Sequence, residues 1–169
     1  YNHRMKSPRV GYLLGFLACV VMLGYALYAQ FVLHLEPCPL CIFQRVGVAA
    51  IGALFLIAGL HAPRGWGARV YGVLIALAAL ATMGIAARHV YIQHLPEGAV
   101  PACGAGLDYL LRVFPVVDVI RKVLTGSGEC AKITWTFLTL SMPTWVLLSA
   151  AALGVWGVAA SRRAARRHV

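Results

Sequence analysis

The sequence predicts an all-α integral membrane protein, a four-transmembrane-helix bundle with a short amphipathic interfacial helix in its second outer loop. Three observations carry that expectation. The chain of 169 residues is 61% hydrophobic and only 12% charged, against roughly 45–50% and about 25% for soluble domains. Three stretches, Val10–Leu35, Val70–Ala87 and Ile133–Ala160, hold no Asp, Glu, Lys or Arg, and each is long enough to cross a hydrocarbon core of roughly 30 Å. The charges also sort by side. Nine of fifteen basic residues fall in three clusters: Arg4, Lys6 and Arg9; Arg64 and Arg69; Arg162, Arg163, Arg166 and Arg167. All five acids, Glu36, Glu97, Asp108, Asp118 and Glu129, fall in the other two loops. The positive-inside rule then puts both termini in the cytoplasm. Disorder, collagen and coiled coil are excluded, and topology accounts for the +10 net charge without a nucleic-acid partner.

The expected spans lie near residues 10–34, 41–61, 69–92 and 142–161, with outer loops near 34–40 and 93–141, in one membrane domain over 1–169. The first run is far longer than a signal-peptide core and reads as an uncleaved anchor. Tyr1–Arg4 precede Met5 and read as a candidate remnant outside the native start. The second span needs Ile42–Gln44 to join Val46–Leu60, which places Arg45 inside the helix, snorkelling to the interface or facing a polar pocket. In the long loop, Leu107, Leu110, Leu111 and Phe114, and after Pro115 Val116, Val119, Ile120, Val123 and Leu124, follow helical spacing, with Asp108, Arg112, Asp118, Arg121 and Lys122 opposite. Such a segment lies flat on the membrane or packs on the outer end of the bundle. Thr125–Gly128 reads as a flexible linker. No internal repeat is present.

The five cysteines carry the chemistry. Cys38 and Cys41 form CPLC, Cys103 and Cys130 lie in the long loop, and all four fall on the outer side, which in a bacterial cell is oxidising. The simplest partition pairs Cys38 with Cys41 and Cys103 with Cys130, but four cysteines permit three pairings and the spacing does not choose. The bland alternative is two structural staples. For Cys103 and Cys130 it has weight, since closing that loop stabilises by roughly 3–4 kcal/mol. For CPLC it has little, because a bond across two residues restrains almost no chain entropy. Cys41 opens the second helix, where the N-terminal dipole favours a thiolate. A zinc site formed by all four outer cysteines is disfavoured by the 27 positions between the second pair, and no metal is expected.

Arg45 follows Cys41 by four residues and so shares its helix face. It either anchors at the interface or stabilises a negative oxygen on a bound electron acceptor. His89 and His94 sit near the outer end of the third span, able to donate to a quinone carbonyl, to relay a proton, or simply to face the interface. Met142, before Pro143, lines the same pocket or packs in the core. Cys19, midway through an apolar helix, is a buried structural thiol.

These residues resemble the DsbB family of bacterial inner-membrane oxidases. The resemblance rests on CPLCIFQR at 38–45, RHVYIQH at 88–94, VPACG at 100–104, GSGECA at 126–131 and WTFLTLSMPTW at 135–145, in family order over nearly the whole chain. It implies a multi-pass protein of the bacterial inner membrane with periplasmic cysteines. It also implies an electron path from a periplasmic DsbA-like thioredoxin-fold protein to the loop pair, then to CPLC, then to the quinone pool, ubiquinone or menaquinone. By the same resemblance Cys103 is the cysteine attacked by the partner, and Cys130 is its mate. Cys38 exchanges with the loop pair, Cys41 contacts the quinone ring, Arg45 belongs to the quinone site, and His89 rather than His94 matches the family histidine. Two rivals stand beside it. One is a vitamin K epoxide reductase-like thiol oxidoreductase, against which the early position of CPLC counts. The other is a non-catalytic scaffold or transporter with stapled loops, against which the lack of acidic residues in the spans counts.

Overall fold

A computed structural model describes residues 8–96, 98–99, 107–133 and 135–166. Four long helices, α1 (Pro8–Phe31), α2 (Pro39–His61), α3 (Gly65–Gln93) and, last in the chain, α7 (Met142–Arg166), are each long and apolar enough to cross a membrane. Between α3 and α7 lie the short helices α4 (Leu107–Val113), α5 (Val116–Thr125) and α6 (Gly128–Ala131), then a two-strand antiparallel hairpin, β1 (Thr136–Phe137) with β2 (Leu140–Ser141). The protein is an all-α four-helix membrane protein, and the hairpin is a small exception to the all-helical expectation. Leu138 (φ 50°) and Thr139 (φ 66°) form its tip in the left-handed region, the backbone that a two-residue hairpin turn demands.

Local chemistry sets the helix ends. Pro39 begins α2, where its fixed φ suits the helix and its missing N–H costs nothing, with Cys38 as the extended N-cap. The far end of α2 closes at Ala62 in the left-handed conformation, its N–H donating to the Ala58 carbonyl at 2.9 Å, and Pro63 prevents continuation. The first long helix stops at Phe31, three residues before the expected boundary. The third begins at Gly65, four before it, so Arg69 lies within the helix.

Helices α1, α2, α3 and α7 form a ring in that order, with the α3–α7 seam the most extensive. Small residues allow the approach. A Cβ on Gly15 would stand 2.6 Å from the Phe55 ring, and one on Gly157 2.5 Å from Ile75. Without water to drive association inside a bilayer, close van der Waals contact of this kind holds helices together. Tyr12 on α1 donates to Ser161 Oγ on α7 at 3.0 Å, so the one buried hydroxyl satisfies the other.

A second apolar cluster sits at the opposite end of the bundle. Leu110 of α4 and Val119 and Val123 of α5 pack against Leu40, Ile92, Cys38 and Cys130. Part of the amphipathic segment therefore docks on the bundle, while Leu111, Val116 and Val117 face away. Arg88 of α3 fastens it, donating from Nε to the Leu124 carbonyl at 2.9 Å and from Nη2 to the Thr125 carbonyl at 3.5 Å. A cation on those terminal carbonyls complements the α5 dipole. The segment after α5 is no free linker: Gly126 turns at φ 87°, and Ser127 is buried at the start of α6.

Candidate thiol relay site

The site lies where the N-terminus of α2, the C-terminal turns of α3 and the short α6 meet. Because Cys38 is the N-cap of α2 and Cys41 lies in its first turn, the two sulfurs fall on one side of the helix, 3.3 Å apart as free thiols. Cys130 enters from α6, and its sulfur, the Cys38 sulfur and the His89 ring lie within 4.8 Å of one another, all buried. Ser127 Oγ donates to Cys130 Sγ at 3.7 Å. Cys38 thus occupies the centre, with Cys41 on one side and Cys130 on the other.

His89 is fixed from both ends. Gln44 Nε2 donates to Nδ1 at 2.9 Å, and Nε2 donates to the Cys130 carbonyl at 3.1 Å. A carbonyl can only accept, so the ring carries its proton on Nε2, 3.8 Å from the Cys38 sulfur. The Cys130 thiol is pushed up from its ordinary range, first by its hydrogen bond with Cys38 and then by burial.

Two cavities adjoin the thiols. One, of about 330 Å³, is lined by Cys38, Cys41, Arg45, His89, Lys132 and Met142 among others. The other, of about 350 Å³, runs down between α1, α2 and α7 and is lined largely by apolar groups such as Val21, Met22 and Val146, with aromatic Tyr25, Phe137 and Trp145. Cys41, Arg45, Trp135 and Met142 border both. The Arg45 guanidinium does not hang free toward an interface. Its Nη1 donates to Gln30 Oε1 and its Nη2 to the Ala26 carbonyl at 3.0 Å, both on α1.

The structure therefore gathers Cys38, Cys41, Cys130, Arg45, His89 and Met142 at one end of the bundle. Cys103 lies outside the described residues. His94 is not brought to the cavity: it is exposed, with Nδ1 donating to the Val90 carbonyl at 2.8 Å, because the α3 helix ends there and turns it outward. Cys19 is buried in the other half of the bundle, beside Gly52. Sequence reasoning missed Gln44, Gln30 and Trp135. A signal existed for the first two, since a lone glutamine in an apolar span needs a partner; Trp135 stood within the WTFLTLSMPTW stretch that carries the resemblance, but with no role of its own.

Buried, mutually accessible thiols at one end of a four-helix membrane bundle define a membrane thiol oxidoreductase. The family model described as "Disulfide bond formation protein DsbB" matches residues 8–160. Among curated proteins named Disulfide bond formation protein B, one from Nitrosococcus oceani is 50% identical over 149 residues, covering 88% of each chain. Another, from Methylococcus capsulatus, is 48% identical over 154 residues, covering 91% of this chain and 94% of the relative. A third, from Xanthomonas oryzae pv. oryzae, is 50% identical over 161 residues, covering 95% and 94%. The chain belongs to the DsbB family, and with it to the proteins of disulfide bond formation.

Proposed function

We propose that the protein reoxidises a periplasmic dithiol protein of DsbA type and passes the electrons through Cys103–Cys130 and Cys38–Cys41 to a membrane quinone. The observation that carries this reading is the central place of Cys38, in contact with Cys41 and beside Cys130. A thiolate of the partner attacks Cys103, the Cys103–Cys130 bond breaks, and the electron pair leaves on Cys130. The second partner thiol then displaces Cys103 and closes the partner's own disulfide. Cys130 attacks Cys38, the Cys38–Cys41 bond breaks, and the electron pair leaves on Cys41. Cys103 returns to close on Cys130, expelling Cys38. Two electrons and two protons have left the partner, and Cys38 and Cys41 are reduced.

The direction of flow follows from the surroundings of each sulfur. A sulfur at a helix N-terminus is the better leaving group, because the helix end favours its thiolate. Cys41 has that position and shares two cavities with the Arg45 cation. The Nε2–H of His89 stands ready to donate to a thiolate at Cys38.

The residues present suit a quinone. An apolar cavity of about 350 Å³ with aromatic walls would take the ring and the first part of a lipid tail, and Arg45 and Cys41 are polar groups at its border. When bound, a quinone supplies a two-electron, two-proton acceptor within the bilayer. Arg45, held by Gln30 and Ala26, would orient a ring oxygen by charge-assisted hydrogen bonding. The inner membrane, cytoplasmic termini and periplasmic cysteines belong to this proposal, supported by the sorted charges.

The test uses purified full-length protein in detergent, a reduced DsbA-type protein, and ubiquinone or menaquinone. One quinone should be reduced per partner disulfide formed. Partner oxidation without quinone consumption, or no transfer to either quinone, would overturn the reading. In spheroplasts, an impermeant thiol label should reach a cysteine placed near Glu97 and miss one placed near Arg166.

A further inference from the structure

The same end of the bundle carries a donor set that the relay does not use as a set. Cys38 Sγ, Cys130 Sγ and a ring nitrogen of His89 lie within 4.8 Å of one another and are buried. The Cys41 sulfur is 3.3 Å from that of Cys38. We infer that the fully reduced protein binds a thiophilic divalent cation of the Zn²⁺ class between Cys38, Cys130 and His89, with Cys41 as fourth donor. This goes beyond electron transfer and stands whether or not quinone is the acceptor.

Bond lengths support the size of the site. With metal–sulfur bonds of about 2.3 Å and metal–nitrogen bonds of about 2.0–2.1 Å, a tetrahedral centre separates its donors by roughly 3.5–3.8 Å. The Cys38 sulfur and His89 Nε2 are already 3.8 Å apart, and Cys38, Cys130 and His89, all within 4.8 Å of one another, need at most about 1 Å of closure, while the Cys41 sulfur, 3.3 Å from that of Cys38, must swing in to complete the set. The adjoining cavity, lined by Cys38, Cys41 and His89, gives an ion a route in. Arg45 and Lys132 border that cavity and would repel a hard cation, so only an ion that forms strong bonds to sulfur gains enough to enter.

Gln44 supplies what a ligating histidine needs behind it. In the metal-free ring Nε2–H donates to the Cys130 carbonyl and Nδ1 accepts from the Gln44 amide. An amide presents either an N–H or an oxygen. Turned over, it accepts from Nδ1–H and leaves the Nε2 lone pair for the metal, the usual outer partner of a metal-bound imidazole. Each thiol that ligates loses its proton to solvent, and nothing is oxidised or reduced. A Cys38–Cys41 disulfide removes two sulfur donors and a Cys103–Cys130 disulfide removes one, so the complete set is open to an ion only when both pairs are reduced. The bound ion would then lock the reduced state by occupying the sulfurs of Cys38, Cys41 and Cys130.

The experiment uses the full chain in detergent, reduced with a phosphine without air and titrated with Co²⁺ as the spectroscopic probe. One equivalent should give intense thiolate-to-cobalt absorption and the visible bands of tetrahedral cobalt, both abolished by Zn²⁺ and absent from the oxidised protein. Cys130→Ser and His89→Gln should each weaken binding at least tenfold, as should Gln44→Met, whose side chain keeps the volume but lacks the amide. Cys19→Ser and Cys103→Ser should bind as the parent does. Circular dichroism and monodisperse elution identify variants that have lost the fold. Lack of the charge-transfer absorption in the reduced parent would overturn the inference. So would unchanged binding in folded Cys130→Ser and His89→Gln, which would mean a dithiol at Cys38 and Cys41 alone, or loss of binding in Cys103→Ser.

Discussion

The two ends of the bundle are built on opposite principles. Around Phe55 and Ile75 the helices close on glycine, and what lies between them is largely packed carbon, with the Tyr12–Ser161 and Trp156–Gly11 hydrogen bonds joining α1 to α7. At the cysteine end the helices stand apart. Two cavities remain there, and the buried polar side chains Gln44 and His89 fix one another across the gap. The contrast teaches that stability and chemistry have been separated along the membrane normal. The tight half holds the helices in register, which leaves the open half free to keep sulfurs within reach of one another without bonding them permanently.

The sharpest way to break the comparison is through the cysteines. Replacing Cys38, Cys41, Cys103 or Cys130 by Ser should abolish dithiol-to-quinone turnover, because each is a link in the proposed series of exchanges. Cys19→Ser, in the tight half, should leave turnover within about twofold of the parent, since its buried thiol has no partner at its depth and a hydroxyl there removes only modest packing. Inactive but well-folded Cys19→Ser protein would show that the two halves are not separate.

The tight half can be probed with its glycines. Gly157→Leu must push a side chain into Ile75 and should cost about 3 kcal/mol of stability, seen as a lower thermal transition in detergent and less folded protein. Gly84 has nothing within 4 Å of where a Cβ would stand, so Gly84→Ala should be neutral or slightly stabilising. Equal effects at the two positions would remove the argument from close helix approach.

How much of this was legible beforehand follows from the range of each interaction. The four spans are a property of composition over some twenty residues, so charge-free runs found them. Boundaries depended on single residues: Pro39 and Ala62 end α2 by local backbone chemistry, whereas α3 begins at Gly65, four residues before the expected start at Arg69. Cys38, Cys41, Arg45 and His89 were readable because motif and spacing carry them. The Gln44–His89 contact joins residues 45 positions apart, and Trp135, just before the hairpin, owes its place to contact with Tyr25 of α1. Nothing local announces such pairings. The linker reading of Thr125–Gly128 failed for a related reason: Gly and Ser suit mobile chain and tight buried turns equally, and only the docking of α5 through Arg88 decides between them.

Arg45 stands on the boundary between the halves. A guanidinium that donates to both Gln30 and the Ala26 carbonyl uses its planar fork, which an ammonium cannot copy. Arg45→Ala should raise the apparent KM for quinone by roughly 10–150-fold, the loss of a charged hydrogen bond of about 1.5–3 kcal/mol. Arg45→Lys should fall between that and the parent, and Gln30→Leu should give a several-fold rise. The KM for the reduced partner should hardly move, because in the proposed relay that partner exchanges with Cys103 and not with the quinone cavity. Ordinary quinone kinetics in folded Arg45→Lys would return Arg45 to the role of an interfacial anchor.

The smallest effect expected is at Cys130, and it reads the open half directly. Its thiol is lifted above the ordinary 9.0, first by the hydrogen bond with Cys38 and then by burial. Thiolate is the species that alkylates, so in the reduced protein Cys130 should react several-fold more slowly than an exposed cysteine near neutral pH. Its rate should still be climbing steeply at a pH about one unit above 9, where an ordinary thiol levels off. A folded-state value above the unfolded one means the folded protein holds this proton more tightly. The associated stability is complete below pH 9 and is lost as pH rises through the folded value. Mass spectrometry of the Cys130 peptide after timed iodoacetamide treatment follows the rate, and melting across the same pH range follows the stability. Cys38→Ser, which removes the first cause and leaves burial, should move the alkylation profile part of the way back. A profile that bends over around pH 9 as an ordinary thiol's does, with Cys38 in place, would mean that the two sulfurs are not coupled, and that the open half does not hold its thiols in one cluster.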